Sequence, residues 1–372
     1  MIESSETPAR RRVAVVGGGI IGLCLAEALA EQGVSLWCFE ERAVGGGQSG
    51  GITRIFRHRH ERSHLVELAL RARTSWISLG ERLGERLIGD EGVLILTAED
   101  EAGRLEQLGV SVEDLSWDAA SEKMPIGRAS DEGSRAVFER HGGAIRARHA
   151  IEALHRTVSD SMVDAEVHGI EQDAAGATLF ASNGIYEVDE VFVTAGAGTA
   201  RLAKAGGVAI PERRACHLRL TFESTIASAL PCVLDKSNEF GEAAYGSPTP
   251  DGQGYAIGIS SEDGAVKTSN AEAPDAKGLH EIKSRIEAYA ERLLPTALGP
   301  VTGARLCLAT PLKSGDDDFY AWRRGRITYF AGHNLFKFAP LIGTLLAESI
   351  EGNDLSQKLN LTPPDSRQPD GR

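Results

Sequence analysis

Apolar residues near the start of the chain come in short runs broken by glycine. Val13-Ala14-Val15-Val16 is β-branched and the size of a buried parallel strand. It passes directly into Gly17-Gly18-Gly19-Ile20-Ile21-Gly22. Small and apolar positions then fill 23–32 and stop at Gly33, which reads as a helix with a glycine C-terminus. A second apolar run, 34–39, ends at Glu40. Further on, Leu65, Leu68, Ala69, Ala72, Trp76, Leu79 and Leu83 recur at helical spacing, with Trp76 as plain core. The pattern predicts a strand at 92–97, a surface helix at 98–109 and a helix at 147–158. Strands are predicted at 166–172, 177–181 and 185–188, the last two joined by an Asn183-Gly184 turn. From Ala215 the texture becomes many short β-like segments, 217–222, 231–234, 243–246 and 254–259, as in an antiparallel sheet. Helical periodicity at 278–293, strands at 303–310 and 327–331, and a helix at 341–350 complete the series.

The opening run has a chemical reading. Strand, glycine turn, helix, strand and acid follow in order. Gly17 allows the turn, Gly19 lets the backbone approach a pyrophosphate, and Gly22 lets helix and strand pack closely. The helix N-terminus offers free N–H groups and a partial positive charge to the phosphates. Glu40 lies 23 residues after Gly17, the spacing at which a carboxylate accepts hydrogen bonds from a ribose hydroxyl. The glycine-rich stretch 44–51 and the strand 189–193, which runs into Thr194-Ala195-Gly196-Ala197-Gly198, give two more places where backbone can touch a dinucleotide.

Totals narrow the class. A chain of 372 residues has room for two domains with their own cores. A net charge of -13 argues against nucleic acid, which needs a clustered positive face. The five cysteines are odd in number and lack zinc-type spacing, which fits a reducing compartment. The four-residue apolar run after Arg10-Arg11-Arg12 is too short for a signal sequence, and no stretch reaches the ~20 apolar residues of a membrane span. The expectation is a cytoplasmic protein, monomer or dimer, without membrane or nucleic-acid partners. Residues 1–12 and the proline-rich tail read as loose.

With those residues in hand, the chain resembles the flavin-dependent amine oxidases of the monomeric sarcosine oxidase and N-methyltryptophan oxidase group. Five stretches carry the resemblance in order: 13–40, 53–58, 189–196, 304–310 and 332–343. The resemblance implies an α/β plus α+β protein. A discontinuous Rossmann-like FAD-binding domain (10–88, 142–208, 314–358) would accompany a mostly antiparallel β-sheet substrate domain (89–141, 209–313), with a disordered tail at 359–372. Residues implied at the FAD are Gly17, Gly19, Ile20, Ile21, Gly22, Glu40, Glu41, Arg42, Ser49, Gly50, Thr53, Ala195, Gly196, Cys307, Gly332, Asn334, Phe336 and Lys337. Cys307 matches the cysteine that bonds the flavin ring in the family. Arg57 and Lys337 match a pair that holds a substrate carboxylate, and Tyr245 an active-site tyrosine. A guanidinium fork and an ammonium suit that task in their own right.

The sequence also departs from the group. The lysine that assists reaction of the reduced flavin with oxygen falls at Ala256, a nearby histidine falls at Ser260, and an aromatic residue falls at Ala309. Ala256 and Ala309 are expected to enlarge the pocket, and Lys313, His58 or His60 are candidates for the missing cation. The implied activity is oxidation of the C–N bond of an amino acid or an N-alkyl or cyclic amine bearing a carboxylate. A hydride would pass to the flavin, and O2 would be the acceptor. A dehydrogenase with another acceptor and a non-catalytic dinucleotide-binding protein remain open.

Overall fold

The computed structural model describes residues 10–128, 134–260, 266–267, 275–315 and 317–351. Most of the expected loose N-terminal segment and the expected disordered tail lie outside them. The glycine turn joins strand β1 (Arg12–Val16) to helix α1 (Ile20–Glu31), which leads to strand β2 (Ser35–Glu40). β1 is the centre of a six-stranded sheet. Its order is Phe319–Arg324, Ile327–Gly332, Glu190–Val193, β1, β2, Met162–Asp164. Every pair is parallel except the first, where Phe319–Arg324 turns back antiparallel on its neighbour. In this sheet Val15 sits between Phe192 and Cys38, all three fully or almost fully buried.

Helix α1 is buried almost all round because two layers cover it. On one side is the sheet. On the other is the last helix, Ala339–Glu348, where a Cβ on Gly343 would stand 2.6 Å from the Cys24 carbonyl carbon. Burying Leu23, Leu25 and Leu29 contributes about 1.5–3 kcal/mol each. This close packing fixes the turn that precedes the last helix, and so fixes Lys337. On the opposite face of the sheet, the antiparallel meander Val167–Gln172, Ala177–Ala181, Gly184–Val188 packs Leu179 and Val188 against Val191 and Phe39.

The second large sheet has nine strands. It runs Val266–Lys267, Ala215–Glu223, Gly254–Ile259, Ala244–Pro248, Cys232–Asp235, Val93–Thr97, Arg135–Glu139, Glu113–Ser116, and Val301–Ala309 also pairs with Ala215–Glu223. It is antiparallel apart from the parallel pair Val93–Thr97 and Cys232–Asp235, a mixture that the texture beyond Ala215 does not announce. Helix Ala276–Leu293 covers one face through Ile282, Ile286, Tyr289 and Leu293. The other face looks toward the glycine turn.

The structure differs from the sequence pattern at several points. α1 begins at Ile20 rather than Leu23, because the Ile20 N–H already finds an acceptor in the Ser49 hydroxyl at 2.9 Å. The cationic run after Thr53 contains a short strand, Arg54–Phe56, paired with Gly143–Ile145. Strands Arg135–Glu139 and Phe319–Arg324 and helix Trp117–Lys123 carry no strong period and are visible only in the fold.

Candidate active site

One cavity of about 1540 Å³ runs from the glycine turn to the face of the nine-stranded sheet. At the turn, Gly17 has φ +112°, and a Cβ there would stand 2.7 Å from the Thr194 carbonyl oxygen. Only glycine accepts both conditions. A Cβ on Gly22 would overlap the Gly17 carbonyl oxygen. The Gly18 N–H donates to Glu40 Oε2 (2.8 Å) and the Arg42 N–H to Glu40 Oε1 (3.1 Å). Half-burial raises the Glu40 carboxyl above its usual range, and those two N–H donors oppose the rise. These residues fit a dinucleotide. The cradle is too tight for any side chain, a helix N-terminus faces it, and Gly17, Gly19, Ile20, Ile21, Glu40, Glu41, Arg42, Ser49, Ala195 and Gly196 all line the cavity.

At the far end, Lys337 sits in the tight turn Phe336–Phe338 just before the last helix. Trp76 holds this turn. Its indole N–H donates to the Lys337 carbonyl at 2.7 Å, and its ring stacks on Phe336. Trp76 is thus core and also a strut for the site. The Lys337 ammonium is buried, and burial together with the neighbouring Arg57 charge pulls its pKa down to about 7, against the opposing pull of Asp317. Arg57 is lowered for the same first reason, burial. Its guanidinium donates to the Arg59 carbonyl and lies 3.5 Å from the His60 ring nitrogens.

Asp317 completes this group and is a residue that sequence reasoning missed. Its Oδ2 lies 3.3 Å from His60 Nδ1, and its Oδ1 accepts from Asn334 Nδ2 at 2.7 Å. Burial opposes its ionisation. The His60 hydrogen bond and the charges on Lys337 and Arg57 outweigh burial and hold the carboxyl well below the usual range. Burial, with the same two cations, pushes His60 far below its ordinary value, against the hydrogen bond and charge of Asp317. Asn334 adopts φ +56°, which aims its amide at Asp317.

The sheet wall is legible from register. His217, Arg219 and Thr221 share one face of their strand. Cys307 lies directly across from His217, and Gly258 across from Arg219 with Tyr245 beyond it. Cys307 is part-exposed and lines the cavity with His217, Arg219, Tyr245, Arg305 and Ala309. Burial raises the Tyr245 phenol. The His217 and His333 rings stack at 5.5 Å, and burial drops His333 to about 3.

Most of the residues expected in the site meet in this one cavity: Arg57, Tyr245, Cys307, Gly332, Asn334, Phe336 and Lys337 line it with the turn residues. Gly22, Gly50 and Thr53 do not. Gly22 packs helix on strand, Gly50 abuts the Arg305 guanidinium, and the Thr53 carbonyl accepts from Arg54 and Arg219. One expectation about the pocket is corrected. Ala309 faces the cavity, but Ala256 is 4% exposed within the sheet between Thr221 and Ser247 and does not widen it. The candidate replacement cations fare no better. His58 is engaged with Glu139 at 2.6 Å and His60 with Asp317, while Lys313 is exposed and off the cavity wall.

A parallel sheet opened by a glycine turn, facing a large mixed sheet across one cavity, has the arrangement of a dinucleotide-binding enzyme. The family model described as DAO, FAD dependent oxidoreductase, matches residues 12–349, and the chain belongs to that family. Its cofactor is accordingly FAD. Among curated proteins it is similar to N-methyl-L-tryptophan oxidase of Yersinia pestis (strain Pestoides F), 29% identical over 196 residues. The match takes in 49% of this chain and 52% of the relative, so the chain spans about half the length of the curated relatives it matches. Among solved structures it is similar to NikD, an unusual amino acid oxidase essential for nikkomycin biosynthesis (TM-score 0.79, 20% identity, 92% of this chain and 94% of that one). It is equally similar to L-proline dehydrogenase from P. horikoshii (TM-score 0.78, 20% identity, 94% and 95%). At these identities the solved structures speak for the fold. Among the described residues no helix is long and apolar enough to cross a membrane.

Proposed function

We propose that the protein oxidises the C–N bond of an amine that carries a carboxylate, such as an amino acid or an N-alkyl or cyclic imino acid. The observation that carries this reading is the meeting of Arg57 and Lys337, remote in sequence, on the wall of the cavity that the glycine turn opens. The guanidinium and ammonium would take the carboxylate, each charge-assisted hydrogen bond contributing about 1.5–3 kcal/mol. Gripping that end would orient the carbon next to nitrogen toward the cofactor, and the sheet wall around Tyr245 and Ala309 would shield it from water. FAD, when bound, supplies the two-electron chemistry. Segments around the six-stranded sheet would form the FAD-binding part and the nine-stranded sheet the substrate part.

Oxygen is the acceptor this reading favours, with hydrogen peroxide as the product. The buried, uncharged position 256 favours a second reading, a dehydrogenase that passes electrons to another acceptor. Anaerobic mixing of the holoprotein with a panel of carboxylate-bearing amines tests the reaction. Bleaching of the flavin band is expected, and a panel that bleaches nothing would overturn it. Stopped-flow mixing of the reduced protein with air separates the acceptors, because millisecond reoxidation excludes the dehydrogenase.

A further inference from the structure

Five arginines of the cavity wall, Arg54, Arg57, Arg59, Arg62 and Arg219, divide into two sets. Arg59 pairs with Glu101 (2.9 Å) and Glu61 (2.6 Å), and Arg62 pairs with Asp318. Arg57 has Asp317 in its electrostatic neighbourhood. Arg54 and Arg219 differ. Among the described residues neither reaches a carboxylate. Arg54 donates to the carbonyls of Thr53 (2.8 Å), Gln48 (3.2 Å) and Gly50. Arg219 donates to the Thr53 carbonyl (2.9 Å) and the Ser247 hydroxyl (3.2 Å), and its Nε–H has no partner. Arg219 is 9% exposed, yet both side chains line the cavity. Each cation therefore presses on the other in a low-dielectric wall, and burial plus Arg219 draws Arg54 down to about 10. A buried and a half-buried positive charge that share only neutral acceptors are unfavourable unless an anion joins them.

The sheet register shows where that anion would sit. Arg219 crosses Gly258, which offers no side chain, and reaches over the Tyr245 ring at 5.5 Å. Thr221, next along the same face, pairs with Ala256. Ser247, which accepts from the Arg219 guanidinium, pairs with Ala256, so the guanidinium reaches the strand position next to 256. We propose that Arg219, with Arg54, forms a second anion subsite in the sheet wall. It takes either a further carboxylate on the amine substrate or the negative charge that FAD acquires when it gains two electrons and one proton. This rests on the reading of the cavity as an FAD and amine site.

The test uses holoprotein with Arg219→Gln and, as the conservative variant, Arg219→Lys. Acetate and succinate are titrated against the oxidised flavin spectrum, and the flavin midpoint potential is measured without ligand. Succinate affinity falling at least about tenfold in Arg219→Gln, with acetate unchanged and Arg219→Lys close to wild type, assigns the subsite to a substrate carboxylate. A more negative potential in Arg219→Gln with both acids unchanged assigns it to the reduced cofactor. No change in either reading, equal weakening of both acids, or loss of FAD retention alone would overturn the proposal. Should Arg219→Gln fail to fold, Arg219→Met replaces it and is read by the same criteria, with Arg219→Lys still the conservative control. An amine panel that bleaches nothing would sink the proposed reaction and leave both readings available.

Discussion

At one end of the cavity Gly17 and Gly22 are fixed by backbone atoms that leave no room for a side chain. At the other, Arg57, Lys337 and Asp317 are held by one another's charges, with His60 hydrogen-bonded to Asp317. The first end is a matter of excluded volume, where a substitution is tolerated or fatal. The second is a balance of burial against Coulomb terms, where each change should shift an affinity by a measurable factor. The sharpest way to break this contrast is Gly22→Val. Its side chain would overlap the Gly17 carbonyl, so purified protein should carry no FAD absorbance and melt at a lower temperature. Gly169→Ala, whose Cβ would meet only the Phe180 ring at 3.8 Å and which lies off the cavity, should be silent in both measurements. Graded FAD loss in the first would show the turn to be softer than this.

Next in size come Arg57→Ala and Lys337→Met. Each removes one charge-assisted contact of about 1.5–3 kcal/mol, so affinity for a carboxylate ligand should fall about 10- to 150-fold while FAD stays bound. Isothermal titration of the holoprotein reads both. Unchanged carboxylate affinity would remove the clamp from the account.

The same contrast explains what the sequence reveals. Gly17, Gly19, Gly22 and Glu40 are close in the chain, and their spacing is itself the mechanism, so this end is legible. Trp76 was legible as core, but its hydrogen bond to the Lys337 carbonyl arises only from packing across 261 positions. Asp317 lies in the acidic run 316–318, which reads as solvated; the turn that brings it to His60 and Asn334 has no local signature. Arg219 could have been found. His217, Arg219 and Thr221 alternate with Cys216, Leu218, Leu220 and Phe222, which marks a strand with one polar, cavity-facing side. Arg57 and Lys337 were found only by resemblance, since no rule of spacing joins residues so far apart.

A smaller effect follows from pH. With its pKa near 7, Lys337 is charged below that value and neutral above it. Carboxylate affinity should therefore fall as pH rises through about 7, by at most about tenfold per unit. The group's unfolded value is 10.5, so between about 7 and 10.5 the unfolded chain binds the extra proton, and this lysine's contribution to stability rises with pH. Asp317→Asn removes the one charge that raises Lys337 and leaves burial and Arg57 to lower it further. The break in the affinity profile should move below 7. An affinity that instead rises at every pH would mean that Asp317 competes with the ligand rather than keeping the lysine charged.

The smallest change concerns Cys307, on the sheet wall of the cavity. It is part-exposed on the wall, directly across from His217, and among the described residues no disulfide engages it. Cys307→Ser exchanges one small side chain for another at a part-exposed strand position, so stability should change by less than about 1 kcal/mol, read from the melting temperature. The informative readout is the flavin. If Cys307 bonds the ring as its family match implies, acid precipitation should leave the yellow colour in the wild-type pellet and move it to the supernatant in the variant. Release from both would make Cys307 an ordinary wall residue. FAD would then be retained by non-covalent contacts, with the glycine turn, the helix N-terminus and the Glu40 carboxylate among the groups on the cavity wall that would hold it.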